Sequence, residues 1–408
     1  MSLPKVLLVL ALVALSGATV RRTPEEARRI ANKVLDTVPL VDGHNDLVMN
    51  IKERAGGVLA NIDLNQNLTN HPLWVGCEFC HTDIPRLRAG KVGAQFFVAF
   101  GDCSAQYRDA TQKTLDTLDL IIRFSEQYSD TFKFVTTPQG ILDAFAEGKI
   151  ASLVGIEGGQ SIDNRLSILR QFYKLGVRYM SLNHMCHTPW SDTSFSDNPE
   201  SGLSPNLNGL SDFGRLVVRE MNRLGIMVDL AHVSKAAQED VLAVSRAPII
   251  YSHSNAYALC NHDRNVHDNV LQLVKNTNSI VMVNFYTGYV NCNITSATLQ
   301  DVINQINYIV SLTGYDNVGI GSDFDGINSE PEGLEDVSGF PNLFAKLAED
   351  PAWTEENLRK LASDNFIRVF RDVERVRDEM AAEGITPFEG IIPLAELGNN
   401  TACYTGDW

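Results

Sequence analysis

Eight short apolar runs, rich in β-branched residues and separated by stretches with helical spacing, limit what this chain can fold into more than any other feature. They are TVPLVDGHND (37–46), GAQFFVAF (93–100), IASLVGIEGG (150–159), VRYMSLNH (177–184), IMVDLAH (226–232), PIIYSH (248–253), SIVMVNFY (279–286) and NVGIGSDFDG (317–326). Near-continuous hydrophobicity over so few residues marks parallel strands buried on both faces. Between them, segments such as 110–128, 162–175, 212–224, 234–245 and 298–312 carry apolar residues at helical intervals. Eight strand–helix units predict an α/β fold, a (β/α)8 TIM-like barrel, with helices over 23–36 and 355–382 packed outside it. A doubly wound open sheet shows the same alternation. The Gly-x-Gly-x-x-Gly turn that favours such a sheet is missing after the first strand.

No Pro- or Gly-rich linker divides the 408 residues, so one domain is expected over 19–408. The formal net charge is -16, from 50 acidic and 34 basic residues, which argues against a nucleic-acid partner. The opening MSLPKVLLVLALVALSGATVRR carries one lysine, an apolar run and small residues at Ser16, Gly17 and Ala18. That layout predicts a signal peptide over 1–18 and an extracellular, secreted product. Three sequons begin at Asn67, Asn293 and Asn399 and suit the same compartment. The end, TACYTGDW, shows no hydrophobic tail, so no membrane anchor is evident. Seven cysteines in a secreted chain should mostly pair and leave one over. Cys77 and Cys80 form a CxxC with no second pair at zinc spacing, which leaves a local disulfide or separate partners.

The polar residues at the carboxyl ends of the predicted strands carry the chemistry, because barrel active sites are built there. His44 and Asp46 end the first run, Glu157 the third, His184 the fourth, His232 the fifth, His253 the sixth, and Asp323 and Asp325 the eighth. Of nine histidines, four fall at strand ends, where chance would scatter them. Singly, each has a structural reading; His232, for instance, sits beside Ser234, a good N-cap for the next helix. Together, imidazoles and carboxylates at one mouth predict a metal site. Five ligands, His44, Asp46, Glu157, His232 and His253, exceed the needs of one tetrahedral zinc and suit two ions sharing a carboxylate. Glu157 is the natural bridge, its flanking glycines expected to let the metals approach.

The stretches DGHNDL, GIEGG, YMSLNHMCHTPWSD, DLAHVS, YSHSNA, DRNVHD and GSDFDG…PEGLEDVSGFPNL, in this order, resemble the membrane (renal) dipeptidase family of zinc peptidases. The resemblance spans almost the whole mature chain. It implies two Zn2+ per chain, His44 and Asp46 on one, His232 and His253 on the other, and Glu157 bridging. It also implies substrate contacts from His184, Asp323 and Arg264; Arg264 lies in a polar loop that strand-end logic does not reach. Disulfides Cys103–Cys186 and Cys260–Cys292, and an interchain bond through Cys403 that makes a disulfide-linked homodimer, are implied in the same way. CEFC at 77–80 and the missing tail depart from the family pattern.

The expected chemistry is hydrolysis of a dipeptide by a metal-bridging hydroxide. His184 would hold the developing oxyanion, Asp323 would carry the proton to the leaving amine, and Arg264 would clamp the free carboxylate. A deaminase or cyclic amidase commonly starts with His-x-His and uses a carboxylated lysine; this chain has His-x-Asp and a glutamate. A non-catalytic binding protein on a dead barrel would have lost ligands, and all five are present.

Overall fold

The computed structural model describes residues 21–293 and 295–401, so the 1–18 leader and Cys403 lie outside the described residues. The described sheet has nine parallel strands: β1 (Leu40–Asn45), β2 (Val92–Phe100), β3 (Phe132–Phe134), β4 (Ile150–Glu157), β5 (Val177–Ser181), β6 (Met227–Asp229), β7 (Ile250–Tyr251), β8 (Ile280–Val283) and β9 (Val318–Ile320). Pairing runs β2-β1-β9-β8-β7-β6-β5-β4, and β2 pairs again with β4 from Ala94 opposite Ala151 to Phe100 opposite Glu157. The ring is closed, and the (β/α)8 expectation holds. All eight predicted strands occur. The ninth, β3, has only three residues and pairs with the start of β4, Phe132 opposite Ile150, beside the ring.

Alternation along the strands builds two cores. Phe96 points into the barrel, with Val41, Leu153, Tyr179, Met227 and Ile280 in the same cluster. Its neighbour Phe97 points outward, its ring 4.8 Å from Phe124 on the helix Ala110–Gln127. Inside the barrel, Tyr179 fits because residue 155 on the adjacent β4 is glycine; a Cβ there would lie 2.1 Å from the Tyr179 ring.

The predicted helix over 355–382 is interrupted. Glu355–Arg359 is α-helical, Lys360–Asp364 is a π-helical turn, and Asn365–Ala382 continues as α-helix. Rather than lying along the outer wall, this last stretch crosses the end where the strands begin. Phe366, Val369 and Phe370 join the interior cluster, and the Phe366 ring sits 5.4 Å from Phe96. One end of the barrel is thereby closed with apolar groups. Polar residues gather at the other.

Candidate metal centre

At the carboxyl ends of the strands, β1 stops at Asn45, and Asp46 takes the N-cap position of helix α2 (Leu47–Ala55). Asp46 thus lies beyond the strand, in non-extended backbone. His44 and Asp46 still converge, with His44 Nε2 3.3 Å from Asp46 Oδ2. Glu157 ends β4 and faces two ways. Its Oε2 lies 3.6 Å from His44 Nε2, while its Oε1 lies 2.9 Å from His232 Nε2 and 3.4 Å from His253 Nε2. His232 Nε2 and His253 Nε2 are 3.0 Å apart. All five residues are nearly inaccessible to solvent.

These donors suit a metal. Ligand atoms of His44, Asp46 and Glu157 lie within 4.8 Å of one another, as do those of Glu157, His184 and His232, and those of His44, His253 and Asp323. Buried polar atoms without a hydrogen-bond partner include His44 Nε2 and Asp46 Oδ1. Such orphans are costly unless a cation or water satisfies them. Burial, with Arg264 adding to the effect on both, holds His232 and His253 well below the ordinary imidazole range, so both are neutral and able to ligate. Burial pushes the Glu157 carboxyl up, but the surrounding imidazoles, with the hydrogen bond from His232, outweigh it and hold it well below the ordinary carboxylate range, so it is ionised.

Three of the ten described non-glycine residues with positive φ lie at these strand ends. His232, Asp323 and Asp325 adopt φ of 69°, 67° and 68°, a region that side chains rarely occupy. The His232 carbonyl is held by the Ser194 N–H at 2.8 Å and the Thr193 hydroxyl at 3.2 Å. Ser234 does cap the helix Lys235–Val244, accepting from the Ala237 N–H at 3.3 Å, two residues after His232.

Asp323 points into the mouth, fixed by the Asn284 side-chain amide at 2.7 Å. Asp325 does not face the histidines. Its carboxylate is buried against Asn50 Nδ2 at 3.0 Å and the Thr82 hydroxyl, a structural use that its strand-end position concealed. The glycines beside Glu157 also serve the fold. A Cβ on Gly158 would meet the Gln160 side chain at 2.3 Å, and one on Gly159 would meet Leu182 O and the Trp190 ring at 2.5 Å. Close protein packing at both positions thus requires glycine.

Above the cluster lies a cavity of about 460 Å³, lined among others by His184, Arg264, Tyr286, Tyr289 and Asp323. The His184 ring stands 4.7 Å from Phe100 and 4.5 Å from His232. Arg264 is 3 % exposed and makes no ion pair among the described residues; Asp263 pairs instead with His262 at 2.9 Å. The guanidinium donates to His253 O at 3.4 Å, its carbon lies 5.3 Å from the centre of the Tyr289 ring, and its Nε has no partner. Next to it, Asn265 Nδ2 donates to Cys260 O and to Tyr289 O, both at 2.9 Å. Sequence reasoning missed Tyr289, which an apolar-looking stretch after β8 hides.

Three disulfides are formed: Cys77–Cys80, Cys103–Cys186 and Cys260–Cys292. The two expected pairings hold, and the open question of the CxxC resolves to a local bond. Each carries a neighbour into the cavity wall: Phe79, Met185 and, on the last, Arg264 and Tyr289.

A parallel barrel with a buried His/Asp/Glu cluster and an arginine at its mouth is the architecture of a metal-dependent hydrolase. The model of the membrane dipeptidase family, peptidase family M19, matches residues 28–384, and the chain belongs to that family of metallo-dipeptidases. It is 39% identical to Dipeptidase 3 of Macaca fascicularis over 382 residues, 93% of this chain and 73% of that protein. Among solved structures, the family M19 metallopeptidase "dipeptidase AC" has 26% identity and a TM-score of 0.73, covering 83% of this chain and 99% of that one. A metallopeptidase from Rhodobacter sphaeroides, liganded with a phosphinate mimic of the dipeptide L-Ala-D-Ala, has 25% identity and a TM-score of 0.71, with 83% and 99% covered.

Proposed function

We propose that this protein is a binuclear zinc dipeptidase that recognises the free carboxylate of its substrate. The observation that carries the reading is the division of Glu157, one oxygen toward His44 and the other toward His232 and His253. His44 and Asp46 would hold one ion, His232 and His253 the other, with Glu157 between them. Two zinc ions there would supply a water acidic enough to ionise near neutral pH and a Lewis acid for the peptide carbonyl.

The chain's own groups do the rest. Burial keeps His184 below the ordinary imidazole range, so at neutral pH it is uncharged and can donate one N–H to a developing oxyanion. Burial raises Asp323 to about 7, which suits a carboxyl that takes a proton and returns it to a departing amine. Arg264, unpaired and almost enclosed, would take the substrate carboxylate on its two-pronged face. A longer peptide would place its next residue where the guanidinium stands, which favours dipeptides.

Secretion and assembly belong to the same reading. The disulfides, the leader-like residues 1–18 and exposed sequon asparagines at Asn67, Asn293 and Asn399 support an extracellular glycoprotein. Among the described residues no helix is long and apolar enough to cross a membrane. Six cysteines pair within the chain, which leaves Cys403 for a bond to a second copy. Non-reducing electrophoresis of wild type and Cys403→Ser tests the dimer: a wild type that runs as monomer removes the interchain bond.

Elemental analysis together with turnover of a dipeptide panel tests the chemistry. Two zinc per chain, activity lost to a chelator and regained with zinc, is the expected result. An active protein with one metal per chain would overturn the binuclear assignment.

A further inference from the structure

Three apolar side chains line the mouth on its β1 and β9 side, beside the acids of the cluster. They are Met49 from the helix Leu47–Ala55, Ile327 just after the Asp323–Gly326 turn and Phe79 from the Cys77–Cys80 loop. Phe79 is half-buried and stands on a loop that is held at several points. Trp74, 2 % exposed, anchors the loop in the core. The N–H groups of Trp74 and Val75 both donate to His71 O at 2.8 Å, and the Cys77 N–H donates to Trp74 O at 2.9 Å. The disulfide closes residues 77 to 80, and Asn50 Nδ2 donates to Phe79 O at 2.7 Å. So much restraint on a solvent-edge loop fixes an aromatic ring in the cavity wall at little further entropic cost on binding.

Direction follows from charge. Arg264 lies beside His253, after β7, whereas Met49 and Ile327 follow Asp46 and Asp323 in the chain, after β1 and β9. A dipeptide with its carboxylate on Arg264 and its peptide carbonyl over the metal cluster has its amino-terminal residue toward the β1 and β9 side. The side chain of its first residue then falls against Phe79, Met49 and Ile327.

We infer that the Cys77–Cys80 loop builds an apolar specificity subsite, with Phe79 as its determining residue, for the side chain of the amino-terminal residue of a dipeptide. This rests on the dipeptidase reading and deepens it. The subsite takes branched aliphatic or aromatic side chains and gives no partner to an acidic one.

The test compares kcat/KM of the zinc-loaded protein for Leu-Gly, Gly-Leu and Gly-Gly. Wild type should favour Leu-Gly over Gly-Gly. In Phe79→Ala that ratio should fall about tenfold, the scale of a few lost methylene contacts, while the ratio of Gly-Leu to Gly-Gly moves less than about twofold. Phe79→Leu, which keeps apolar bulk, should retain most of the preference, and the double variant Cys77→Ser/Cys80→Ser should lose part of it. An unchanged Leu-Gly ratio in Phe79→Ala, or an equal drop in the Gly-Leu ratio, overturns the subsite. If wild type turns over none of the three, the dipeptidase reading fails and the subsite falls with it.

Discussion

The Tyr179 hydroxyl lies 3.1 Å from His44 Nδ1 and donates to Gly43 O at 3.0 Å. With its only proton committed to the carbonyl, that oxygen must accept from Nδ1–H. Nδ1 is thereby occupied, and Nε2 is the nitrogen left to face Asp46 and Glu157 and to ligate a metal once it gives up its proton. His253 is treated alike: Ser252 Oγ donates to Asp229 Oδ2 at 2.6 Å and accepts from His253 Nδ1 at 2.8 Å.

Tyr179→Phe keeps the ring packed against Gly155 and deletes only the hydroxyl. Zinc affinity should fall about 10- to 100-fold, the usual consequence of losing a partner behind a ligating histidine. Competition with a chromogenic chelator measures it, and an unchanged melting curve for the metal-free protein separates it from a folding defect. Unaltered affinity would show that the hydroxyl does not orient His44.

Metal uptake should release protons in a pH-dependent way. Burial raises Asp46 to about 6 and Asp323 to about 7. A raised carboxyl holds its proton in a range where an exposed one is ionised, and a cation binds the ionised form. Lowering the pH from about 8 to about 6 should therefore weaken apparent zinc affinity and increase the protons released per zinc. Calorimetric titrations in buffers of different ionisation enthalpy report that number directly. Equal release at both pH values would mean that these carboxyls are not protonated in the metal-free site.

Arg264→Met should lower kcat/KM for dipeptides by about ten- to a thousandfold, since a charge-assisted pair in a partly dry mouth is lost. Zinc content should stay intact. The dipeptide amide is the control: wild type should process it poorly, and the variant should barely distinguish acid from amide. Full activity of Arg264→Met on the free dipeptide would assign the clamp elsewhere.

How far the sequence could be read depended on how unusual each residue was in its setting. The eight barrel strands were legible because buried parallel strands are continuous apolar runs, and charged residues at their ends stand out against them. Tyr179 and Ser252 were not, since a tyrosine or serine within a strand looks like ordinary sheet. Phe79, Met49 and Ile327 look like core, and only their position over the cavity gives them another use. Asp325 misled in the other direction: a strand-end acid by pattern, it is a buried anchor for Asn50 and Thr82 in fact. The three residues of β3 are too few to show a period.

Each of the three disulfides braces a loop at the mouth, while the opposite end of the barrel is held by Phe366, Val369 and Phe370 without any such bond. The two halves of the molecule thus depend on their surroundings differently. Hydrophobic closure of the barrel is indifferent to thiol chemistry, but the positions of Phe79, Met185 and Arg264 are not. Reduction would therefore act most directly on the entrance, where Phe79, Met185 and Arg264 stand on cross-linked loops, and least directly on the apolar end.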